Sequence, residues 1–118
     1  MKRRALLTVG ALGTLGGVAG LVRAQAPREI EINALRFRFI PNEIPLKAGE
    51  RVVLLVRALD FPHGFNIPDL KIRADLVIGK TVRIELQAPA ATGPLDFLCD
   101  NFCGEGHETM HGQFVVST

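Results

Sequence analysis

Between residues 41 and 94, turn-forming residues recur at short intervals and divide the chain into short apolar runs. This division restricts the fold more than any other feature. The turn signals are Pro41-Asn42, Ala48-Gly49-Glu50, Phe61-Pro62, Ile67-Pro68-Asp69, Ile78-Gly79-Lys80 and Thr92-Gly93-Pro94. No window carries the apolar stripe of a helix. The spacing predicts an all-β chain, built as a small antiparallel sandwich or barrel.

The runs between these turns have the patterns of strands. The predicted strand segments are 35–39, 52–56, 81–87, 95–99 and 114–116. Most of them alternate apolar and polar residues, as a half-buried strand does, whereas 52–56 is continuously apolar and predicts a strand covered on both faces. Arg36, Arg38 and Arg73 are predicted to mark outward strand faces and are given no functional role.

The charge of the chain differs between its two ends. It has 14 Lys and Arg, and four of them (Lys2, Arg3, Arg4 and Arg23) lie in the first 24 residues, which contain no acid. The remainder therefore has ten basic residues against 12 acidic ones. A nucleic-acid-binding protein would keep a basic excess in its folded part, so that class is excluded.

Residues 1–24 have the pattern of an export signal. Lys2-Arg3-Arg4 precede an uncharged run, residues 5–22, and cleavage is predicted after Ala24. The basic start also resembles a twin-arginine signal. The alternative is an uncleaved membrane anchor, for which the run is just long enough. Either reading leaves residues 25–118 as one domain, in the periplasm or at the outer face of the cytoplasmic membrane.

The residues that bind soft metals are clustered. Cys99, Cys103, His107 and Met110 have the spacing C-x3-C-x3-H-x2-M, on a predicted loop between two strands. Thiolate, imidazole and thioether together favour copper over magnesium, calcium or manganese. A thioether is not a usual ligand of zinc, so Met110 also favours copper over zinc.

A loop this short cannot surround a metal alone, and His63 is the candidate for a further ligand. It is predicted to lie in a turn stiffened by Pro62 and Pro68, because proline fixes φ. Gly104 and Gly106 would let the loop that carries these candidate ligands, called the ligand loop (residues 99–110), curl between Cys103 and His107.

This pattern closely resembles the CuA-bearing cupredoxin domain of cytochrome c oxidase subunit II and the same centre in nitrous oxide reductase. The likeness covers roughly residues 30–118 and includes the segments 63–68 and 71–80 as well as the C-x3-C-x3-H-x2-M spacing. It implies a cupredoxin-type Greek-key β-sandwich.

The resemblance also implies a ligand set. Two copper ions would be bridged by the sulfurs of Cys99 and Cys103, and each ion would be capped by one histidine, His63 or His107. Met110 and the backbone carbonyl of Asn101 would be weak ligands, one to each ion. The implied function is one-electron transfer with a redox partner such as a cytochrome c or a terminal oxidase, without enzymatic activity of its own.

Two features depart from subunit II. Asn101 stands where subunit II usually has Glu, a tolerable change because the ligand would be the main chain. The chain also contains no Trp and no Tyr, so it lacks the aromatic patch through which electrons enter subunit II.

Three other interpretations of the cluster remain open. Cys99 and Cys103 could form a structural disulfide. His63, Cys103, His107 and Met110 could instead form a mononuclear blue-copper site with Cys99 as a spectator. The same ligands would also serve an exported copper carrier.

The charged residues around the ligand loop have two readings. Asp100, Glu105 and Glu108 form an acidic rim, which is either a solvated surface or a docking patch for a basic partner. His111 matches no ligand position and is predicted to be a surface residue at the start of a strand.

Overall fold

The computed structural model describes residues 26–118, and the predicted export signal or anchor therefore lies outside the described residues. Within 26–118 the chain forms nine strands and two short 3₁₀ turns, with no α-helix. No helix in this range is long and apolar enough to cross a membrane. The strands form two sheets, as the sequence predicts.

The first sheet has four strands in the order β2-β1-β4-β7. Their bounds are β1 Arg28–Leu35, β2 Arg38–Ile40, β4 Arg51–Ala58 and β7 Thr81–Gln87. The second sheet has five strands in the order β3-β9-β8-β5-β6. Their bounds are β3 Glu43–Lys47, β5 His63–Ile67, β6 Ile72–Leu76, β8 Gly93–Leu98 and β9 His111–Ser117.

The prediction of an antiparallel sandwich is wrong at two strand pairs. β1 pairs in parallel with β4, and β3 pairs in parallel with β9. Parallel pairing joins segments from distant parts of the chain. The alternation of apolar and polar residues within a strand is the same whether its neighbour runs parallel or antiparallel, so it could not predict the direction of pairing. The remaining pairs are antiparallel.

The predicted strand over 35–39 is also wrong. β1 ends at Leu35, residues 36 and 37 form a turn, and β2 begins at Arg38, so Phe39 points into the core from a different strand. Arg36 therefore does not mark a strand face. The alternation of apolar and basic residues runs unbroken through the turn, which is why period alone could not reveal it.

Four phenylalanines occupy the centre of the sandwich. Phe39 comes from the first sheet, whereas Phe65, Phe97 and Phe114 come from β5, β8 and β9 of the second. All four are buried, and the ring of Phe97 lies 5.2 Å from Phe39, 5.2 Å from Phe65 and 5.0 Å from Phe114 between centroids. Phe97 therefore contacts both sheets and joins them directly below the ligand loop.

The end of the sandwich opposite the ligand loop is held by polar contacts of Glu50. Its carboxylate accepts hydrogen bonds from the backbone N–H of Lys47 at 3.0 Å and from the guanidinium of Arg28 at 3.2 Å. The Lys47 N–H lowers the pKa of Glu50 below its ordinary value of 4.5 more than burial raises it, and Arg28 lowers it further. The ionised carboxylate thus links β1 to the β3–β4 turn.

Replacing Glu50 by Gln is expected to destabilise the protein at neutral pH by about 1 kcal/mol, the scale of a charge-assisted hydrogen bond. Because the folded-state pKa of Glu50 is depressed, its contribution is present above the unfolded pKa and is lost as the pH falls through the folded value. Urea unfolding at pH 7 and pH 3 measures this. The difference in the free energy of unfolding between wild type and Glu50→Gln should be smaller at pH 3 than at pH 7. An equal difference at the two pH values would contradict the role given to the Glu50 carboxylate.

Candidate metal centre

The candidate ligands lie where the ends of three strands of the second sheet meet. Cys99 follows the last residue of β8, and the loop it begins returns to the sheet at His111, the exposed first residue of β9, as predicted. The Cys99 N–H donates to the Met110 carbonyl at 3.1 Å, which closes the base of this loop.

The sequence predicts that His63 lies in a turn, and this prediction is wrong. His63 is the first residue of β5 and is paired with Leu76 of β6, while Pro62 precedes the strand and Pro68 begins a 3₁₀ turn after it. The prolines bound the strand instead of stiffening a bend. His63 is only 1% exposed, so a rigid strand fixes the imidazole beside the ligand loop.

The sulfur and nitrogen atoms of His63, Cys99 and Cys103 all lie within 4.8 Å of one another. His63 Nδ1 is 3.8 Å from Cys99 Sγ. The two cysteines are free thiols in the structure, and both are buried. Three soft or borderline ligand atoms thus converge on one small volume shielded from water.

The other three predicted site residues border the same volume. His107 Nδ1 lies 3.6 Å and Met110 Sδ 3.8 Å from Cys103 Sγ, and the carbonyl oxygen of Asn101 lies 3.3 Å from Cys99 Sγ. Met110 is buried, whereas His107 and Asn101 are half-buried. The structure therefore brings all six predicted residues together; that they bind metal stays a prediction.

The environment of the thiols determines their protonation without metal. Burial and, after it, the neighbouring Cys99 together raise the pKa of the Cys103 thiol to about 11. Cys103 is consequently protonated at neutral pH in the metal-free protein. Since a metal binds the thiolate, binding must release this proton.

Asp60 orients His63, a role that the sequence analysis missed. Its carboxylate Oδ1 lies 3.0 Å from His63 Nε2 and accepts the proton of that nitrogen, which leaves the lone pair of Nδ1 facing Cys99. Burial raises the pKa of Asp60, but the Arg36 N–H and the His63 ring outweigh it, so its pKa lies below the ordinary value. A carboxylate three residues before a predicted ligand was the signal that could have identified it.

Asp100 also differs from expectation. The guanidinium of Arg73, a residue predicted to have no special role, donates to its two carboxylate oxygens at 2.6 and 3.0 Å. Asp100 is therefore neutralised by an ion pair and does not belong to a free acidic rim. Glu105 and Glu108 remain exposed on the ligand loop.

Gly64 is required by the close approach of this ion pair. A Cβ at Gly64 would overlap the carboxylate of Asp100, and the Gly64 N–H points at Cys99 Sγ, 3.5 Å away. The absence of a side chain lets β5 and the start of the ligand loop lie against each other.

Replacing Gly64 by Ala is expected to destabilise the copper-free protein by about 1–3 kcal/mol, the usual cost of overpacking, because the Asp100 carboxylate must move away from Arg73. Urea unfolding measures the loss. The matched control is the same substitution in an Asp100→Ala background, where the added methyl group has room and should cost much less. Equal costs in both backgrounds would contradict this account.

Comparisons with known proteins found similar sequences and structures. The cupredoxin-like domain family matches residues 6–116. Cytochrome c oxidase subunit 2 of Thermus thermophilus is 30% identical over 113 residues, covering 92% of this chain and 82% of that protein.

Two solved structures share the fold. The periplasmic domain of subunit II of the cytochrome oxidase of Bradyrhizobium japonicum superposes with a TM-score of 0.70 at 18% identity, covering 79% of this chain and 86% of that one. A chain of a heme-copper terminal oxidase dimer gives a TM-score of 0.69 at 23% identity, covering 76% and 65%. The predicted cupredoxin-type β-sandwich is confirmed.

Proposed function

This chain belongs to the cupredoxin-like domain family and to the family of cytochrome c oxidase subunit 2, and from this premise we propose that it transfers single electrons through a dinuclear copper centre of the CuA type. The observation that carries the proposal is the convergence of His63, Cys99 and Cys103, whose ligand atoms lie within 4.8 Å of one another beside a buried Met110. This donor set suits copper.

The proposed ligands have distinct roles. Two copper ions would be held by the thiolates of Cys99 and Cys103 and by Nδ1 of His63 and of His107, and would supply a one-electron couple there. The Met110 sulfur and the Asn101 carbonyl would be weak ligands. The pairing of each cysteine with a different histidine, Cys99 with His63 and Cys103 with His107, supports this arrangement.

A pair of copper ions supplies a one-electron couple whose charge change is shared over two metals and two sulfurs. The chain's own residues keep the surroundings of that couple fixed during transfer. β5 holds His63, the Cys99–Met110 hydrogen bond closes the ligand loop, and burial of both thiols excludes water. Little rearrangement is then needed between the oxidised and reduced forms.

The proposed setting follows from the relatives, which are oxidase subunits. We place the protein in the periplasm or at the outer face of the cytoplasmic membrane. Its proposed partners are a cytochrome c or a terminal oxidase, with no nucleic acid and with membrane attachment only if residues 5–22 are retained as an anchor. In this role the chain carries electrons and performs no substrate chemistry by itself.

The geometry favours the dinuclear centre over a mononuclear blue-copper site. In the mononuclear arrangement Cys99 would be a spectator, yet Cys99 is the thiol that Nδ1 of His63 faces. A copper carrier would use the same ligands, and the redox behaviour of the loaded protein separates it from an electron-transfer protein.

The proposed function is tested by reductive titration of the copper-loaded protein, followed by mixing with a reduced cytochrome c. We expect reversible uptake of one electron for every two copper ions and rapid oxidation of the cytochrome. One electron per copper would indicate the mononuclear site, and loss of copper upon reduction would indicate a carrier.

Replacing Met110 by Leu is expected to shift the reduction potential while copper occupancy stays close to that of wild type. The reason is that a thioether is a weak ligand, and leucine fills the buried volume of Met110 with little strain. Voltammetry and copper analysis of the same sample measure the two quantities. An empty site in Met110→Leu would mean that the thioether is a main ligand.

A further inference from the structure

Arg36 contacts the ligand loop although it precedes that loop by more than sixty residues in the sequence. Its Nε donates to the carbonyl oxygen of Cys103 at 2.8 Å. Its guanidinium also lies over the ring of Phe61, 4.0 Å from the centroid. The aromatic face and the carbonyl together hold the planar side chain in one orientation.

The backbone of Arg36 contacts the other half of the site. Its N–H donates to Asp60 Oδ2 at 3.0 Å, and the second oxygen of the same carboxylate, Oδ1, lies 3.0 Å from His63 Nε2. The β1–β2 turn is therefore linked to His63 through Asp60 and to Cys103 directly.

The neighbouring residue packs against the same loop. A Cβ at Gly104 would lie 3.3 Å from the ring of Phe37, and one at Gly106 would lie 3.2 Å from it. The two glycines allow the loop to rest on Phe37 while Arg36 binds the carbonyl just before them. The turn is thus a support for the section of the ligand loop between Cys103 and His107.

From these contacts we infer that Arg36 is a positioning residue of the metal centre, which fixes Cys103 relative to His63 and raises the reduction potential of the bound copper. The inference rests on the proposed function. The sign follows from electrostatics, since a fixed positive charge near a redox centre favours the form that has gained an electron. Solvent screens the effect in part, because Arg36 is exposed.

The test uses Arg36→Gln, Arg36→Lys and a matched control, Arg38→Gln. Arg38 is two residues away and exposed, and within residues 26–118 it makes no hydrogen bond to the ligand loop. Each glutamine variant removes one positive charge, so the pair separates the contact made by Arg36 from the change in net charge.

Two readouts are measured for each variant. The first is the reduction potential of the copper-loaded protein. The second is the rate at which iodoacetamide alkylates Cys103 in the reduced, copper-free protein, assigned by mass spectrometry of the peptides. The second readout needs no copper, so it tests the positioning role even if the proposed function fails.

Arg36→Gln is expected to lower the reduction potential and to speed alkylation of Cys103 about fivefold, the consequence of losing one hydrogen bond of about 1 kcal/mol that restrains the loop. Arg36→Lys should recover part of the potential, because the charge returns, but not the slow alkylation, because an ammonium does not reproduce the planar contact. Arg38→Gln should leave both readouts at the wild-type values.

The inference is overturned if Arg36→Gln and Arg38→Gln give the same potential and the same alkylation rate. If wild type takes up no copper while Arg36→Gln still speeds alkylation, the proposed function fails and the positioning role stands. If the alkylation rate is unchanged but the potential falls only in Arg36→Gln, Arg36 acts through its charge alone and the positioning claim is rejected.

Discussion

Cys103→Ser is expected to abolish coloured copper binding, whereas Cys99→Ser should remove only the dinuclear character of the site. Cys103 Sγ lies beside both His107 Nδ1 and Met110 Sδ, so every copper arrangement considered above depends on it. A serine hydroxyl is a hard donor that stays protonated at neutral pH, and it cannot replace a thiolate. Optical and electron paramagnetic resonance spectra of the two loaded variants measure the difference.

The two variants control for each other, because both replace a buried sulfur by oxygen at nearly the same depth. Circular dichroism of the copper-free forms establishes that both fold. A Cys99→Ser protein with the full dinuclear spectrum would contradict the bridging role of Cys99. A Cys103→Ser protein that kept a coloured centre would contradict the ligand set as a whole.

Phe97→Ala is expected to reduce the free energy of unfolding by about 3–5 kcal/mol, the usual loss for truncating a buried phenylalanine. Phe97 is fully buried, and its ring contacts Phe39 across the sandwich and Phe65 and Phe114 within the second sheet. Since a domain of this size is stable by only about 5–15 kcal/mol, the variant is expected to unfold at a clearly lower urea concentration than wild type. Urea unfolding of the copper-free protein measures the loss.

Phe102→Ala is the matched control for that experiment. Phe102 lies on the ligand loop with 70% of its surface exposed, so its truncation should change the free energy of unfolding by no more than about 0.5 kcal/mol. Similar losses in the two variants would mean that Phe97 does not join the sheets in the way described.

Local pattern predicted segments of β4, β7, β8 and β9, but it did not identify β1, β3, β5 or β6, although β1 and β3 also alternate. The alternation in 81–87 gave β7 with the bounds that the structure has, and the final strand was placed correctly around Phe114. The same method failed for 35–39, because the turn at Arg36 does not interrupt the alternation of apolar and basic residues. Local pattern also could not predict that β1 pairs in parallel with β4, because pairing depends on a partner elsewhere in the chain.

The candidate site divides in the same way. Spacing and donor chemistry indicated five candidate ligands, the resemblance to subunit II added the carbonyl of Asn101, and the structure places all six together. Arg36 and Arg73 were missed because they act through contacts that only the folded chain creates. Asp60 was missed although its place three residues before His63 was a signal in the sequence. An arginine in an alternating segment looks like a surface residue until the fold brings a carbonyl of the ligand loop to it.

The central claim, a dinuclear copper centre, is tested most directly by counting copper per chain in the reconstituted protein and recording its electron paramagnetic resonance spectrum. The account predicts two copper ions per chain that share one unpaired electron, with the signal delocalised over both nuclei. One copper ion with a localised signal would contradict it and indicate a mononuclear site or a carrier. No tightly bound copper would contradict it as well and leave Cys99 and Cys103 as a structural disulfide pair.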